Sequence, residues 1–345
     1  MTKKATAYLR KIKQSDRIAG NKTRQGYARI AYPQTGGLLL CGVLNMKRPF
    51  NKPATTYAEQ IAQLQARGLV IADPAAAAHY LQHINYYRLG AYWLPLEADH
   101  ATHRFRSGER FEDALDLYIF DRELRLLVLD AVERFEVSAR AQWAHQMAHA
   151  HGPHSHLDAR LARKPGHWQT NLDKLATEVR RSDEAFISHL MQTYAEALPP
   201  IWAVCEVMSL GLLSRWYGNL KPGTTRRAVA GVYGLDERVL ESWLHHLTFI
   251  RNTCAHHSRL WNRDFTITAE LPRSKPAHLA GEFVSGSRKL YNTLVMLLHF
   301  MDIIAPGHHW RQRLKQLIHH HTINTSAMGF PAGWDARVIW QEARP

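Results

Sequence analysis

The sequence has little cysteine and no long apolar run. Its three cysteines in 345 residues are far apart and lack metal-ligand spacing, so no disulfide framework or cysteine zinc site is expected and the thiols should be reduced. The longest apolar run near the N-terminus, residues 38–44, is interrupted by Gly42 and is much shorter than the roughly 20 residues that span a bilayer. The polar, basic residues 1–37 that precede it do not resemble a secretory signal. We therefore predict a cytoplasmic protein without a transmembrane helix.

Several catalytic signatures are also absent. There is no glycine-rich phosphate loop with GKS or GKT, no HExxH and no GxSxG, which argues against nucleotide hydrolysis, a zinc protease and a serine hydrolase. His145 and His149 have the i, i+4 spacing of two zinc ligands on a helix, but Gly152 and Pro153 place the histidines that follow in a loop. We predict neither a specific metal nor another cofactor.

Acidic residues are fewer than basic ones, and the excess is unevenly distributed. The net charge is +14, of which residues 1–48 carry +10, because eleven Lys and Arg are accompanied there by Asp16 alone. The remaining residues are only mildly basic. Any contact with a polyanion in that part must therefore come from local clusters and not from a global field.

The basic segment also differs from the rest in pattern. It lacks sustained helical periodicity and ends at Met46, Lys47, Arg48 and Pro49. Two interpretations stay open: Met46 is the true start and residues 1–45 are translated upstream sequence, or the segment is a basic RNA-binding arm that is disordered by itself.

Beyond it, the pattern is helical. Thr56 and Glu59 form a capping box, and apolar residues recur at three to five positions from Glu112 to about Ala150, where Gly152 and Pro153 end a long helix. Alternation at residues 103–111 predicts a hairpin or an irregular loop. Further helices are expected at residues 75–84, 169–181, 183–196, 201–219, 224–232, 236–257, 282–304 and 310–321. We predict an all-α fold: a helical domain at residues 49–305 and a C-terminal helix and tail at residues 306–345.

The richest functional pattern is Arg251, Asn252 and His256. Arginine offers a planar fork for phosphate oxygens, and histidine exchanges protons near neutral pH, so the set suits cleavage of an RNA phosphodiester without a metal. Both residue types are abundant, and the same spacing also joins Arg140 to His145 and Arg273 to His278. Spacing alone therefore decides little. The last match follows Pro272 and contains Pro276, which places it in loop sequence, and it is discarded.

On the helix itself, Val239, Trp243, Leu247, Ile250 and Cys254 define a buried stripe. Asn252 and His256 lie together on another face. Arg251 is about 140° round the helix from His256 and roughly 7.5 Å along it. A site assembled from two such helices, one from each of two domains or protomers, would relieve that awkward geometry.

Five ordered landmarks over about two hundred residues resemble the bacterial Abi-like (abortive infection) proteins. They are INYYRL at 84–89 with YW at 92–93, FDRELR at 120–125, ERFEV at 133–137, PIW at 200–202 with MSLG at 208–211, and RNTCAH at 251–256 with RLWN at 259–262. That family is counted among the HEPN proteins, whose Arg and His act on RNA, and is similar to the nuclease domains of RNA-guided CRISPR effectors. The resemblance implies an all-α HEPN-like bundle with a long central helix.

The resemblance also implies a phage-defence toxin that binds RNA and cleaves it, with a homodimer bringing two motifs together and a noncoding RNA as a further partner. Arg251, Asn252 and His256 would be its catalytic residues. The alternative is a non-catalytic RNA-binding protein of a defence or toxin–antitoxin system. In that case Arg251 and His256 would bind a phosphate or stabilise the fold.

Two further groups are weighed in the same way. Arg140, His145 and Glu136 are either a second half-site or a helical ion pair with a surface histidine. Aromatic and basic residues suited to RNA contact are Arg259, Trp261, Arg263, Arg104, Arg106, Tyr87 and Arg88. Tyr86 and Trp93 are expected in the core.

Overall fold

The computed structural model describes residues 49–273, 275–279 and 281–341. The chain divides into two units, residues 1–54 and residues 55–345. Of the first unit, residues 49–54 are described and contain neither helix nor strand. The basic extension expected at residues 1–48, together with Cys41, lies outside the described residues.

The second unit is all-α, as the sequence predicts. Its described residues form twelve helices and one two-stranded sheet. The helices are α1 (Tyr57–Ala66), α2 (Pro74–His83), α3 (Tyr86–Trp93), α4 (Phe111–His151), α5 (Pro165–Arg181), α6 (Ala185–Thr193), α7 (Ile201–Val204), α8 (Leu210–Asn219), α9 (Thr224–Gly231), α10 (Glu237–Ala255), α11 (Tyr291–Ile304) and α12 (Trp310–His320).

The first helices begin where local chemistry allows. At α1 the Thr56 N–H donates to Glu59 at 2.7 Å and the Glu59 N–H donates to the Thr56 hydroxyl at 3.2 Å, which confirms the capping box. Asp73 caps α2, with Pro74 at its first turn. Asn85 caps α3, a helix that the sequence pattern did not predict. Pro, Asp and Asn thus separate three short helices.

Helix α4 is the predicted long central helix. Its 41 residues extend about 60 Å, and Gly152 ends it with a φ of 87°, a conformation that favours glycine. Helices α3, α9, α10, α11 and α12 all pack against it. Helix α11 is buried on nearly every side, and Phe135 of α4 stacks on Phe300 of α11 with ring centroids 4.0 Å apart. The core therefore surrounds α4.

Three predicted elements differ in detail. The hairpin pairs β1 (Glu97–Asp99) with β2 (Arg104–Phe105), so it begins earlier than the alternation indicated. The helix expected at 201–219 is two helices, because Ser209 begins α8 and both its N–H and its hydroxyl donate to Glu178. The helix expected from 282 begins at Tyr291, because the Asn292 amide bonds both backbone groups of Val284 and holds that segment as a loop.

The C-terminal helix packs on the same core. The Trp310 indole N–H donates to the Leu127 carbonyl of α4 at 2.7 Å, and Trp340 further on is completely buried. Over the ranges that the structure describes, no helix has both the length and the apolar character that a bilayer crossing demands.

Candidate functional site

Helix α10 carries the Arg251 to His256 motif at its C-terminal end. Asp236 caps its first turn, and the predicted stripe of Val239, Trp243, Leu247, Ile250 and Cys254 is buried against the neighbouring helices. Burial raises the pKa of the Cys254 thiol to about 12, so this cysteine is an inert core residue. The stripe fixes the rotation of α10 and turns the motif residues away from the core.

The motif side chains reach solvent. Arg251 keeps 35% of its side chain exposed, and its Nη1 donates to the Asn252 amide oxygen at 3.1 Å. His256 is exposed at the C-cap of α10, where its N–H donates to the Asn252 carbonyl at 3.0 Å. A guanidinium, an amide and an imidazole are thus all accessible at one helix end.

Glu136 of α4 lies between two arginines. Its carboxylate pairs with Arg140 four residues later on the same helix, and its Oε2 lies 3.8 Å from Nε of Arg251. Arg140 also donates to the Met208 carbonyl at 2.7 Å and keeps only 16% of its side chain exposed. The structure therefore brings Glu136, Arg140 and Arg251 together, with Arg140 the more firmly held of the two cations.

His145 lies away from His256. Glu136 of α4 contacts Arg251, whereas Asp121, earlier on α4, bonds the later residues Leu260 and Trp261. Helix α4 and the segment 251–261 therefore run in opposite directions. From Glu136, His145 is nine residues further along α4, about 14 Å, in the direction opposite to His256. One chain does not place the two histidines at a common site.

The two helical histidines His145 and His149 have ring centroids 4.3 Å apart. Among the residues that the structure describes, no group of three or more His, Cys, Asp or Glu side chains is placed to hold a metal ion.

A buried carboxylate fixes the segment that follows His256. Asp121 accepts hydrogen bonds from the backbone N–H of Leu260 at 3.0 Å and of Trp261 at 2.7 Å, and from the Tyr92 hydroxyl at 2.7 Å. Arg125 pairs with the same carboxylate. We call Tyr92, Asp121 and Arg125 the Asp121 clamp. It holds the chain against α3 and α4 a few residues after the motif.

Burial raises the pKa of Asp121, while Arg125 and the N–H group of Trp261 act in the opposite direction. Sequence reasoning did not single out this residue as functional. The sequence signal that could have found it is an acidic residue between Phe120 and Leu124, two apolar residues of α4 that face the core of the protein. A buried charge there needed a partner, and the partner is a distant backbone.

The residues expected to contact RNA after the motif are mostly engaged in structure. Arg259 is half-buried and donates to the Ala91 carbonyl, and burial lowers its pKa. Trp261 is buried, so its expected role as a stacking platform is wrong: the Asp121 clamp fixes its backbone and its ring lies in the core. Arg263 lies 5.7 Å over the Phe249 ring and remains partly accessible.

The earlier basic residues have different positions. Arg88 donates to the carbonyl of His257 at 2.6 Å, which places it beside the motif, and the neighbouring Tyr87 is 81% exposed. Arg104 is exposed on the hairpin. Arg106 is tied to Glu109 and to the Pro95 carbonyl at 2.8 Å. Trp93 is buried as expected, and Tyr86 is partly buried.

The comparison with protein families gives one result. The model of the Abi-like protein family matches residues 79–262, more than half of the chain. No curated protein and no solved structure matches the chain. The matched segment includes Asp121, Glu136, Arg251 and His256, and therefore covers both the motif and the clamp.

Proposed function

The chain belongs to the Abi-like protein family, and from this membership we propose that it acts in abortive infection as a metal-independent endoribonuclease of the HEPN type. The observation that carries the proposal is the accessible set of Arg251, Asn252 and His256 at the end of α10. The Glu136 carboxylate lies 3.8 Å from Arg251 and orients it, but this carboxylate is also paired with Arg140. It therefore does not fully neutralise Arg251, which remains able to bind a phosphate.

The proposed reaction is attack of a ribose 2′-oxygen on the neighbouring phosphorus. The new O2′–P bond forms as the P–O5′ bond breaks, which gives a 2′,3′-cyclic phosphate and a 5′-hydroxyl. His256 takes the proton from the 2′-hydroxyl or gives one to the leaving oxygen. Arg251 stabilises charge on the non-bridging oxygens, and Asn252 orients Arg251 through its amide oxygen.

A second copy of the chain completes this proposal. Cleavage needs a proton acceptor and a proton donor on opposite sides of the phosphorus, and His145 points away from His256 along α4. We therefore place a second Arg251 and His256, from another copy, opposite the first.

The test is growth of bacteria on induction of the protein. Arg251→Ala and His256→Ala are expected to abolish toxicity, because they remove the charge stabiliser and the proton carrier. Arg227→Ala and His189→Ala are matched controls, since both residues are exposed and lie outside the motif. Both controls should remain toxic.

A second function fits one observation. The contact of Arg251 with Glu136 is also what we expect of an arginine that stabilises the fold or binds an RNA phosphate and takes no part in catalysis. This candidate is a non-catalytic RNA-binding protein that acts with a noncoding RNA. Persistent toxicity of folded Arg251→Ala and His256→Ala proteins would favour it over the nuclease.

A further inference from the structure

A separate pocket lies beside the N-terminal half of α10. It is open to solvent, has a volume of about 610 Å³ and is lined mainly by residues from α5, α8 and α10. That volume is within the range of about 300–1,000 Å³ typical of small-ligand sites. The motif is not part of it, because the pocket reaches His245 on α10 and stops short of Arg251.

The pocket lining is rich in cations. Arg163, Arg215 and Arg238 line it, together with the carboxylates of Glu241 and Glu270. Glu241 is already paired with Arg163 at 3.2 Å and with the buried Arg226. Arg215 and Arg238 are exposed and have no ion pair with any residue that the structure describes. Two guanidinium groups are therefore available to an anion.

Two buried polar side chains line the same pocket without a partner. Asn171 is 3% exposed and Ser214 is 9% exposed, and neither side chain makes a hydrogen bond within the described ranges of the chain. The Asn171 amide and the Ser214 hydroxyl thus belong to largely buried side chains that line the pocket, and both groups are free to bond a ligand placed there.

The chemistry of the lining favours phosphate. Guanidinium, amide and hydroxyl groups are the donors that proteins offer to phosphate oxygens. No Phe, Tyr or Trp side chain lines the pocket, so it offers no aromatic face on which a base could stack. The ligand should accordingly be recognised by its phosphate groups and bind less well as salt increases.

We propose that this pocket binds the phosphate groups of a phosphorylated ligand of nucleotide size, with Arg215, Arg238 and Asn171 as the contacts. The phosphate comes either from a free nucleotide or from an RNA chain that passes over the pocket. This site is independent of the proposed cleavage at His256, since none of its residues belongs to the motif.

The experiment measures binding of inorganic pyrophosphate, ATP and a short single-stranded oligoribonucleotide to the full chain by calorimetry. Arg215→Ala and Arg238→Ala should each weaken pyrophosphate and ATP binding about tenfold, the loss expected for one charge-assisted hydrogen bond. Asn171→Asp should weaken it further, because it places a carboxylate against the phosphate. Arg227→Ala is the matched control, an exposed arginine outside the pocket, and should bind normally.

The outcomes separate the sources of phosphate. If the pocket variants weaken binding of the oligoribonucleotide alone, the ligand is an RNA chain; if they weaken ATP and pyrophosphate binding, it is a nucleotide. Unchanged binding of all three probes in all pocket variants would overturn the proposal. His256→Ala protein should bind ATP like wild type, so failure of the cleavage proposal leaves this test intact.

Discussion

Two Arg–His pairs with identical spacing lie on two helices that contact each other, and their surroundings differ. Arg140 is mostly buried and bound to Glu136 and to the Met208 carbonyl, while Arg251 meets Glu136 only at 3.8 Å and stays accessible. His145 continues a regular helix, whereas His256 stands at a helix end that the Asp121 clamp fixes.

The difference shows that spacing does not define a site. The guanidinium of Arg140 donates its hydrogen bonds to Glu136 and to the turn before α8. Its role is therefore to hold α4 against that turn. Arg251 shares the same carboxylate and still has an accessible guanidinium. The accessibility of its arginine and a fixed backbone after its histidine distinguish the candidate catalytic pair from the pair at Arg140, whose spacing is the same.

The largest expected effect concerns RNA cleavage. His256→Ala should slow cleavage about a hundredfold or more, the usual contribution of a general acid or base. His145→Ala should leave the rate unchanged, because His145 lies on the far side of Glu136 from the motif. Single-turnover cleavage of labelled RNA measures both rates, and an equal loss in the two variants would show that His145 and His256 do not differ in their role.

The next effect concerns stability. Arg140→Ala should lower the free energy of unfolding by about 3 kcal/mol, because it leaves the Glu136 carboxylate and the Met208 carbonyl without their main partner. Arg251→Ala should lower it by less than about 1 kcal/mol, as for an exposed pair. Urea unfolding measures both values; the reverse order would show that Arg251 is the structural arginine.

A third effect concerns two histidines of the core. Burial lowers the pKa of His246 and of His299 to about 4, from an ordinary value near 6.5. A depressed pKa gives stability that is present above pH 6.5 and is lost as the pH falls toward 4. Each of the two should cost about 2 kcal/mol of unfolding free energy between pH 6.5 and pH 5.

Urea unfolding at several pH values checks this expectation. His246→Gln should show a shallower loss of stability below pH 6.5, although it is less stable at pH 7. The same slope in wild-type and His246→Gln proteins would contradict the assignment of acid sensitivity to this core histidine.

The smallest effect tests the Asp121 clamp. Tyr92→Phe removes the hydroxyl that donates to Asp121 at 2.7 Å and should lower the free energy of unfolding by about 1 kcal/mol. Tyr118→Phe is the control: its ring contacts that of Tyr92, and its hydroxyl has no hydrogen bond within the described residues. Equal losses in the two variants would show that the hydroxyl of Tyr92 contributes nothing to the clamp.

The sequence pattern predicted the features that depend on local order. Periodicity identified α4 and its end at Gly152, and the capping box at Thr56 and the buried stripe of α10 were predicted from spacing alone. These features need only neighbouring residues and the helical repeat.

Features that depend on distant partners were not predicted. The clamp joins Asp121 to a backbone 139 residues later, and α8 begins where Glu178 meets Ser209. Trp261 was expected to stack on a base because its neighbours are basic, but its burial is decided by α4. Spacing along one helix carries no information on such contacts.

The most direct measurement is the chemistry of the RNA ends that the purified protein produces in the presence of a chelator. We expect cleavage without added metal, products with a 2′,3′-cyclic phosphate and a 5′-hydroxyl, and loss of both in His256→Ala protein. Cleavage that requires magnesium and leaves a 5′-phosphate with a 3′-hydroxyl would contradict the proposed mechanism.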